Sequence, residues 1–216
     1  MKTARSPIIV QNSFYNRIAL GGLALTLILL TGPVDSVADR NLTVHMFQHI
    51  GLFVSAAFFG YGMDHFLVSR LLWLKQNLYA GWRVFVGLMR FNSKTKGLIS
   101  AGLIPSIALF YWHLPSNFDL AVTHPSIHVL EHLTYIIVGS LAGASVNAIP
   151  RRFRVGLLFF GFMTAGMMGS MMVVWPYFYP VYSAAQNTEM DVAIMLFGAF
   201  GVIATSSWLL KVLDIF

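Results

Sequence analysis

The chain is built from apolar runs about as long as a bilayer is thick, with nearly all charge pushed into the gaps between them. A transmembrane helix needs roughly 20 mostly apolar residues. Lipid offers no partner to backbone N–H and C=O groups, so each run must satisfy its own by folding as a helix. The runs fall at about 17–34, 42–63, 97–113, 125–146, 155–175 and 192–210. They predict an all-α fold: a polytopic transmembrane bundle of about six helices in one integral membrane domain, 1–216. Only 10% of residues are charged, whereas a soluble domain carries about a quarter, so too little polar surface exists for a water-soluble shell. At about 66–90 the text stays apolar but gains Arg70, Lys75, Arg83 and Arg90 among Trp73, Tyr79 and Trp82. That mixture predicts a helix lying in the interface plane.

The first run has features of a signal peptide. Lys2 and Arg5 precede it, and Ser36-Val37-Ala38 follows as a small-x-small pattern. The long region before the apolar core favours retention, and either way the chain emerges on the same side. With the amino terminus inside, thirteen of the 14 Lys and Arg residues fall on the cytoplasmic side and only Arg40 outside. This is the positive-inside asymmetry of a multi-pass protein. It accounts for the net charge of +6 without nucleic acid. Both termini are then expected in the cytoplasm of a prokaryotic cell, with the protein in its plasma membrane.

That orientation sorts the seven histidines. His45 and His49 lie in the outer turns of the second helix, and His113 at the outer end of the third. His124, His128 and His132 descend from the outer end of the fourth, while His65 is left on the cytoplasmic side. Residues four apart share a helix face, so His45/His49 and His128/His132 form two pairs able to converge on one ion. The His124–His132 ladder is about 12 Å long at roughly 1.5 Å per residue. With no cysteine in the chain, any metal must be held by His, Met or carboxylate. Imidazole suits copper, zinc and iron. Tyr135 lies on the same face as the ladder and Glu131 on its flank, as candidates to orient a ligand from behind. A blander alternative is that each histidine hydrogen-bonds between helices or sits at the interface. Against it stands the number of ionisable groups gathered at one depth, where they are costly and usually functional.

The fifth helix adds a methionine face, Met163, Met167 and Met171, with Met168 and Met172 beside it. Thioethers favour Cu(I), although methionine also serves as an adaptable apolar filler. Gly161, Gly166 and Gly169 on the same helix point to close packing. The metal candidates are therefore His45, His49, His128 and His132, with His113, His124, Met167 and Met171 as further ones. No Ser/His/Asp arrangement, phosphate loop or dinucleotide fingerprint is present, and the chain is not expected to be an enzyme.

The stretches HMFQH, WHLPSNFDLAVTHPSIHVLEH and YPVYSAAQNTEMDVAIMLFGAFG, in that order, resemble the CtaG family of haem-copper (cytochrome c) oxidase assembly factors. HMFQH (45–49) is similar to its H-x-x-Q-H segment. WHLPSNFDLAVTHPSIHVLEH (112–132) resembles its W-H-L-P, aromatic-Asp and H-x-x-E-H signature. YPVYSAAQNTEMDVAIMLFGAFG (179–201) is similar to its closing loop and last helix. SAAFFGYG stands where the family has Ala-Pro, GASVN where it has Trp-Pro, and Glu189-Met190-Asp191 where it has Asp-Gln-Gln. The likeness is that of a divergent prokaryotic or archaeal member. It implies a copper-handling assembly factor for a terminal oxidase, with subunits of that oxidase as partners, and with His45, His49, His113, His128, Glu131 and His132 at the matching positions. Two further readings stay open. One is a stable accessory subunit of a membrane copper enzyme, either a terminal oxidase or a copper monooxygenase. The other is a b-type haem electron carrier with His49 and His128 or His132 as axial ligands.

Overall fold

The structure is a computed structural model that describes residues 7–70, 97–175 and 177–213, the side chains of 7–12, 65–70 and 147 excepted. The described residues form helices and no strand. In chain order these are α1 (Pro7–Leu29), α2 (Gly32–Ala38), α3 (Leu42–Arg70), α4 (Ile104–Trp112), α5 (Pro115–Thr123), α6 (Pro125–Ser145), α7 (Arg151–Val173) and α8 (Ala184–Val212). Four described helical stretches are long and apolar enough to cross a membrane: Leu42–Asp64, Pro125–Ser145, Arg151–Val173 and Ala184–Val212. A fifth is added if Ser13–Leu29 and Gly32–Ala38 count as one broken span. The break falls at Leu30-Thr31, just before Gly32-Pro33, where proline cannot continue the α1 hydrogen-bond ladder. The third expected run appears as a shorter apolar helix, Ile99–Trp112. Its first turn is a π segment, Ile99–Leu103, closed by Ile104 N–H to Ile99 O. The interfacial segment expected at about 66–90 lies outside the described residues from residue 71 onward.

Large apolar side chains face outward along the spans. Phe160 and Met171 of α7 are 59% and 70% exposed, and Phe200 and Ile203 of α8 are each 70% exposed. Water would penalise such surfaces, whereas lipid solvates them. The chain is thus an all-helical multi-pass membrane protein.

The chain divides into two compact units. One comprises Met1–Thr31, Ile50–Leu109 and His132–Ala148, and it is assembled by small residues. Gly139 and Gly143 form a Gly-x-x-x-Gly stripe on α6. A side chain on Gly143 would collide with the Ala57 backbone of α3, and one on Gly60 with that of Ser140. Such spacing lets helix backbones touch, which is how helices gain packing energy in lipid. On the α1 side, Thr26 Oγ1 and Ser55 Oγ share a buried hydrogen bond of 2.8 Å.

The second unit comprises Gly32–His49, Phe110–Glu131 and Ile149–Phe216. Here α7 and α8 pack through Gly169, whose missing Cβ leaves room for Asp191 O and Met195 N, and through Gly166 against Gly198. Gly161 faces open space. Helix starts are well specified in this unit. Asn41 Oδ1 accepts from Val44 N at 2.9 Å, capping α3. Ser183 and Gln186 form a capping box at the start of α8. Gln186 Nε2 also donates to Arg40 O at 2.7 Å, tying α8 to the turn before α3. The stretch SNFDLAVTH, which falls in the gap between the apolar runs at 97–113 and 125–146, folds mostly as α5, started by Pro115 and burying Phe118 and Ala121.

Gly143→Ala should destabilise the protein by about 1–3 kcal/mol, the usual cost of overpacking. Gly161→Ala, which meets nothing within 4 Å, should be neutral. Unfolding in detergent by SDS titration would measure both, and equal stabilities would show that the Gly143 contact is not tight.

Candidate metal centre

The N-terminal turns of α3 carry His45 and His49 one turn apart on its inward face. The first turns of α6 carry His128 and Glu131 toward them. His45, His49 and Glu131 are buried to 1% exposure or less. One ligand atom from each of His45, His49, His128 and Glu131 can be chosen so that all four lie within 4.8 Å of one another. Four ligands at roughly 2.1 Å from a tetrahedral ion sit about 3.4 Å apart, so modest side-chain rotation closes the set. His49 Nδ1 is 3.5 Å from Glu131 Oε1. The His45 and His128 rings stack at 5.2 Å with an interplanar angle of 15°, and His45 meets His49 edge-on at 4.5 Å.

The surroundings fix the ligands. Phe118 of α5 packs its ring 5.1 Å from His45 and 4.1 Å from Tyr179. Tyr182 Oη lies 3.4 Å from His45 Nδ1 and donates to Ala38 O at 3.4 Å. With its own proton directed to Ala38 O, the Tyr182 oxygen can accept from a protonated His45 Nδ1, a pairing that presents Nε2 as the donor atom for a metal. The loop holding both tyrosines is pinned by Asn187. Its Oδ1 accepts from Tyr179 N at 2.9 Å, and its Nδ2 donates to Tyr179 O at 3.0 Å. Tyr179 Oη donates to His113 O at 3.2 Å. Gln48 Nε2 donates to Asp35 Oδ1 at 2.7 Å, joining α2 to α3 beside the histidines. Leu42, Met46, Met172 and Met190 complete an apolar wall around Phe118 and the tyrosines.

Three of the expected histidines, His45, His49 and His128, therefore converge. Glu131 was expected only to orient a ligand, but it offers its own oxygen to the group. His132, buried one turn further along α6, falls in the other compact unit, as does Tyr135. His124 is exposed at the end of α5, its Nδ1 2.9 Å from Thr123 Oγ1 and 3.2 Å from Leu120 O. His113 is half-buried and contributes its carbonyl to Tyr179. Met167 and Met171 are 58% and 70% exposed and are not brought to the cluster, since α7 turns Met168 and Met172 inward instead. Sequence reasoning missed Tyr182, Phe118, Gln48 and Asn187 as supports of the site. Gln48 stood within HMFQH and Phe118 within the longer quoted stretch, but neither had a spacing that announced its role.

Such a site belongs to a helical membrane protein with a buried His/Glu cluster. Within that class, the chain belongs to the family described as protein of unknown function (DUF1404), whose family model matches residues 20–214. No curated protein and no solved structure matches it.

Burial pushes the Tyr179 phenol above its ordinary value near 10, and the negative charges of Asp191, Glu131 and Asp119 push it further. Tyr182 is raised by burial first, then by Asp39, Glu131 and Asp119. In the unfolded chain these phenols ionise near 10, while the folded protein holds their protons. The stability is full below that pH and is lost as pH rises above it. Tyr179→Phe should therefore flatten the alkaline fall in unfolding free energy while leaving the profile below pH 10 parallel to wild type. Identical alkaline slopes would contradict this placement of Tyr179.

Proposed function

We propose that this protein handles copper at the extracytoplasmic side of a prokaryotic plasma membrane and serves the assembly of a copper-containing terminal oxidase. The observation that carries the reading is the convergence of three imidazoles and a carboxylate, all but His128 fully buried. A buried carboxylate is expensive unless positive charge accompanies it, and a metal ion held by the imidazoles supplies that charge. Nitrogen donors with one carboxylate suit copper, zinc or iron. The resemblance of HMFQH and WHLPSNFDLAVTHPSIHVLEH to an oxidase-assembly family favours copper, carried as cargo. Tyr182 holds His45 in the tautomer that leaves Nε2 for the ion, and Phe118 keeps water from the stacked rings.

In the same reading the bundle has six spans. The broken α1–α2 pair forms the first, Ile99–Trp112 is a short third span, and residues at about 66–90 lie in the cytoplasmic interface. The confinement of basic residues to one side supports cytoplasmic termini.

Purified protein reconstituted with copper should hold one equivalent. His128→Ala should weaken binding by more than about tenfold, while Tyr182→Phe should fall within the roughly 10–100-fold range typical of groups behind a ligand. His124→Ala and Met171→Ala should bind as wild type. Equal metal in wild type and His128→Ala would sink the site, and a Soret band on the purified protein would replace copper with haem. In cells, deleting the gene should lower the copper content of the partner oxidase, restored by wild type but not by His128→Ala. Stoichiometric co-purification with that oxidase would instead make the protein a permanent subunit.

A further inference from the structure

The second unit carries another polar feature that the copper reading does not use. A cavity of about 440 Å³ opens where the N-terminus of α7 meets the C-terminus of α8, lined by Pro150, Arg151, Arg152, Trp208, Lys211 and Val212. Arg151 holds its guanidinium over the Trp208 ring, 5.9 Å from the centroid. Arg152 lies over Phe153 at 5.2 Å. Both arginines occupy the first turn of α7, which contains no acidic residue. The first backbone N–H groups of a helix have no acceptor within it, and the N-terminus carries the positive end of the helix dipole. Arg151, Arg152 and Arg154 thus add like charge where a helix prefers an anion. None of the three, nor Lys211, forms an ion pair among the described residues. An anion seated in the cavity removes the repulsion and satisfies the amides together.

We propose that this cavity binds the phosphate of an anionic phospholipid headgroup. The ligand chemistry is a phosphate oxygen set, which arginine grips bidentately and a helix N-terminus accepts through its amides. The location selects the lipid over a soluble phosphate. Both helices are candidate spans, so the cavity lies at the end of the hydrocarbon region, at headgroup depth. Trp208 is placed as interfacial aromatics are. Phe153, 41% exposed, and Phe200 and Ile203, each 70% exposed, lie on the same two helices within reach of the acyl chains. Basic pockets between helix ends are a recognised mode of lipid capture, worth about 1 kcal/mol per basic residue.

The test uses the full chain in nanodiscs of phosphatidylcholine with increasing phosphatidylglycerol, read by unfolding temperature and by lipid retention in native mass spectrometry. Wild type should show a saturable rise in unfolding temperature and retain phosphatidylglycerol selectively. Arg151→Gln should weaken retention about fivefold. Arg154→Gln removes the same charge from the same turn but lies outside the cavity lining, and should retain lipid as wild type. No preference over phosphatidylcholine in wild type overturns the proposal, a result that needs no variant to fold. So does equal loss in Arg154→Gln, which means diffuse attraction. Displacement of the lipid by millimolar inorganic phosphate would reassign the site to a soluble anion. Copper content enters none of these readouts, so the outcome is independent of the metal centre.

Discussion

The contact between the Glu131 carboxylate and the imidazole of His49, 3.5 Å apart and buried on both sides, sets the terms for the second compact unit. A carboxylate taken out of water costs several kcal/mol unless a positive charge or a full set of donors comes with it. Everything around it serves to keep that compensation in place. α3 and α6 must present their first turns to each other, and Asn41 caps the start of α3. Phe118 must fill the space beside His45 so that no water loosens the rings. The loop of Tyr179 and Tyr182 must close over them, and Asn187 spends its whole side-chain amide on holding that loop. An apolar replacement of the four polar residues would pack at lower cost. Their presence is therefore better explained by a ligand than by stability.

Lipid explains the other half of the architecture. Helices in a bilayer gain little from burying apolar surface, because the tails outside are as apolar as the side chains. Close backbone contact replaces that driving force. In the first unit Gly60 and Gly143 allow it between α3 and α6, and in the second Gly169 and Gly198 allow it between α7 and α8.

Much of this was legible in the sequence, and the boundary has a physical basis. Apolar run length reports the spans because bilayer thickness fixes it. The His45/His49 pair reads directly from the 3.6-residue period. Glu131 was misjudged because its place, three residues after His128, lies on the flank of the ladder, and the neighbouring helix stands on that flank. No local period reveals where a neighbour stands. Tyr182 is 137 residues from His45, a separation over which spacing carries no signal. The methionine face could have been oriented from the glycines. Met172 lies three residues after Gly169 and shares its inward side, whereas Met171 lies two residues after it and must point away. α5 escaped because nine residues are too few for a period to stand out.

The two ends of the second unit also differ in how they treat the helix dipole. α8 follows it at its C-terminal end, where Lys211 lies in the last turn, and carries no acidic residue in its first. α7 opposes it, with Arg151, Arg152 and Arg154 at its N-terminus. A positive-inside bias would account for basic residues on that side but not for their place within the first turn, since a position in the preceding loop would serve it without the dipole penalty. Charge so placed is what an anion-binding helix end requires. α7 and α8 would then meet opposite demands at their two ends: a buried acidic and imidazole environment that favours a cation at one, and amides with guanidinium groups that favour phosphate at the other.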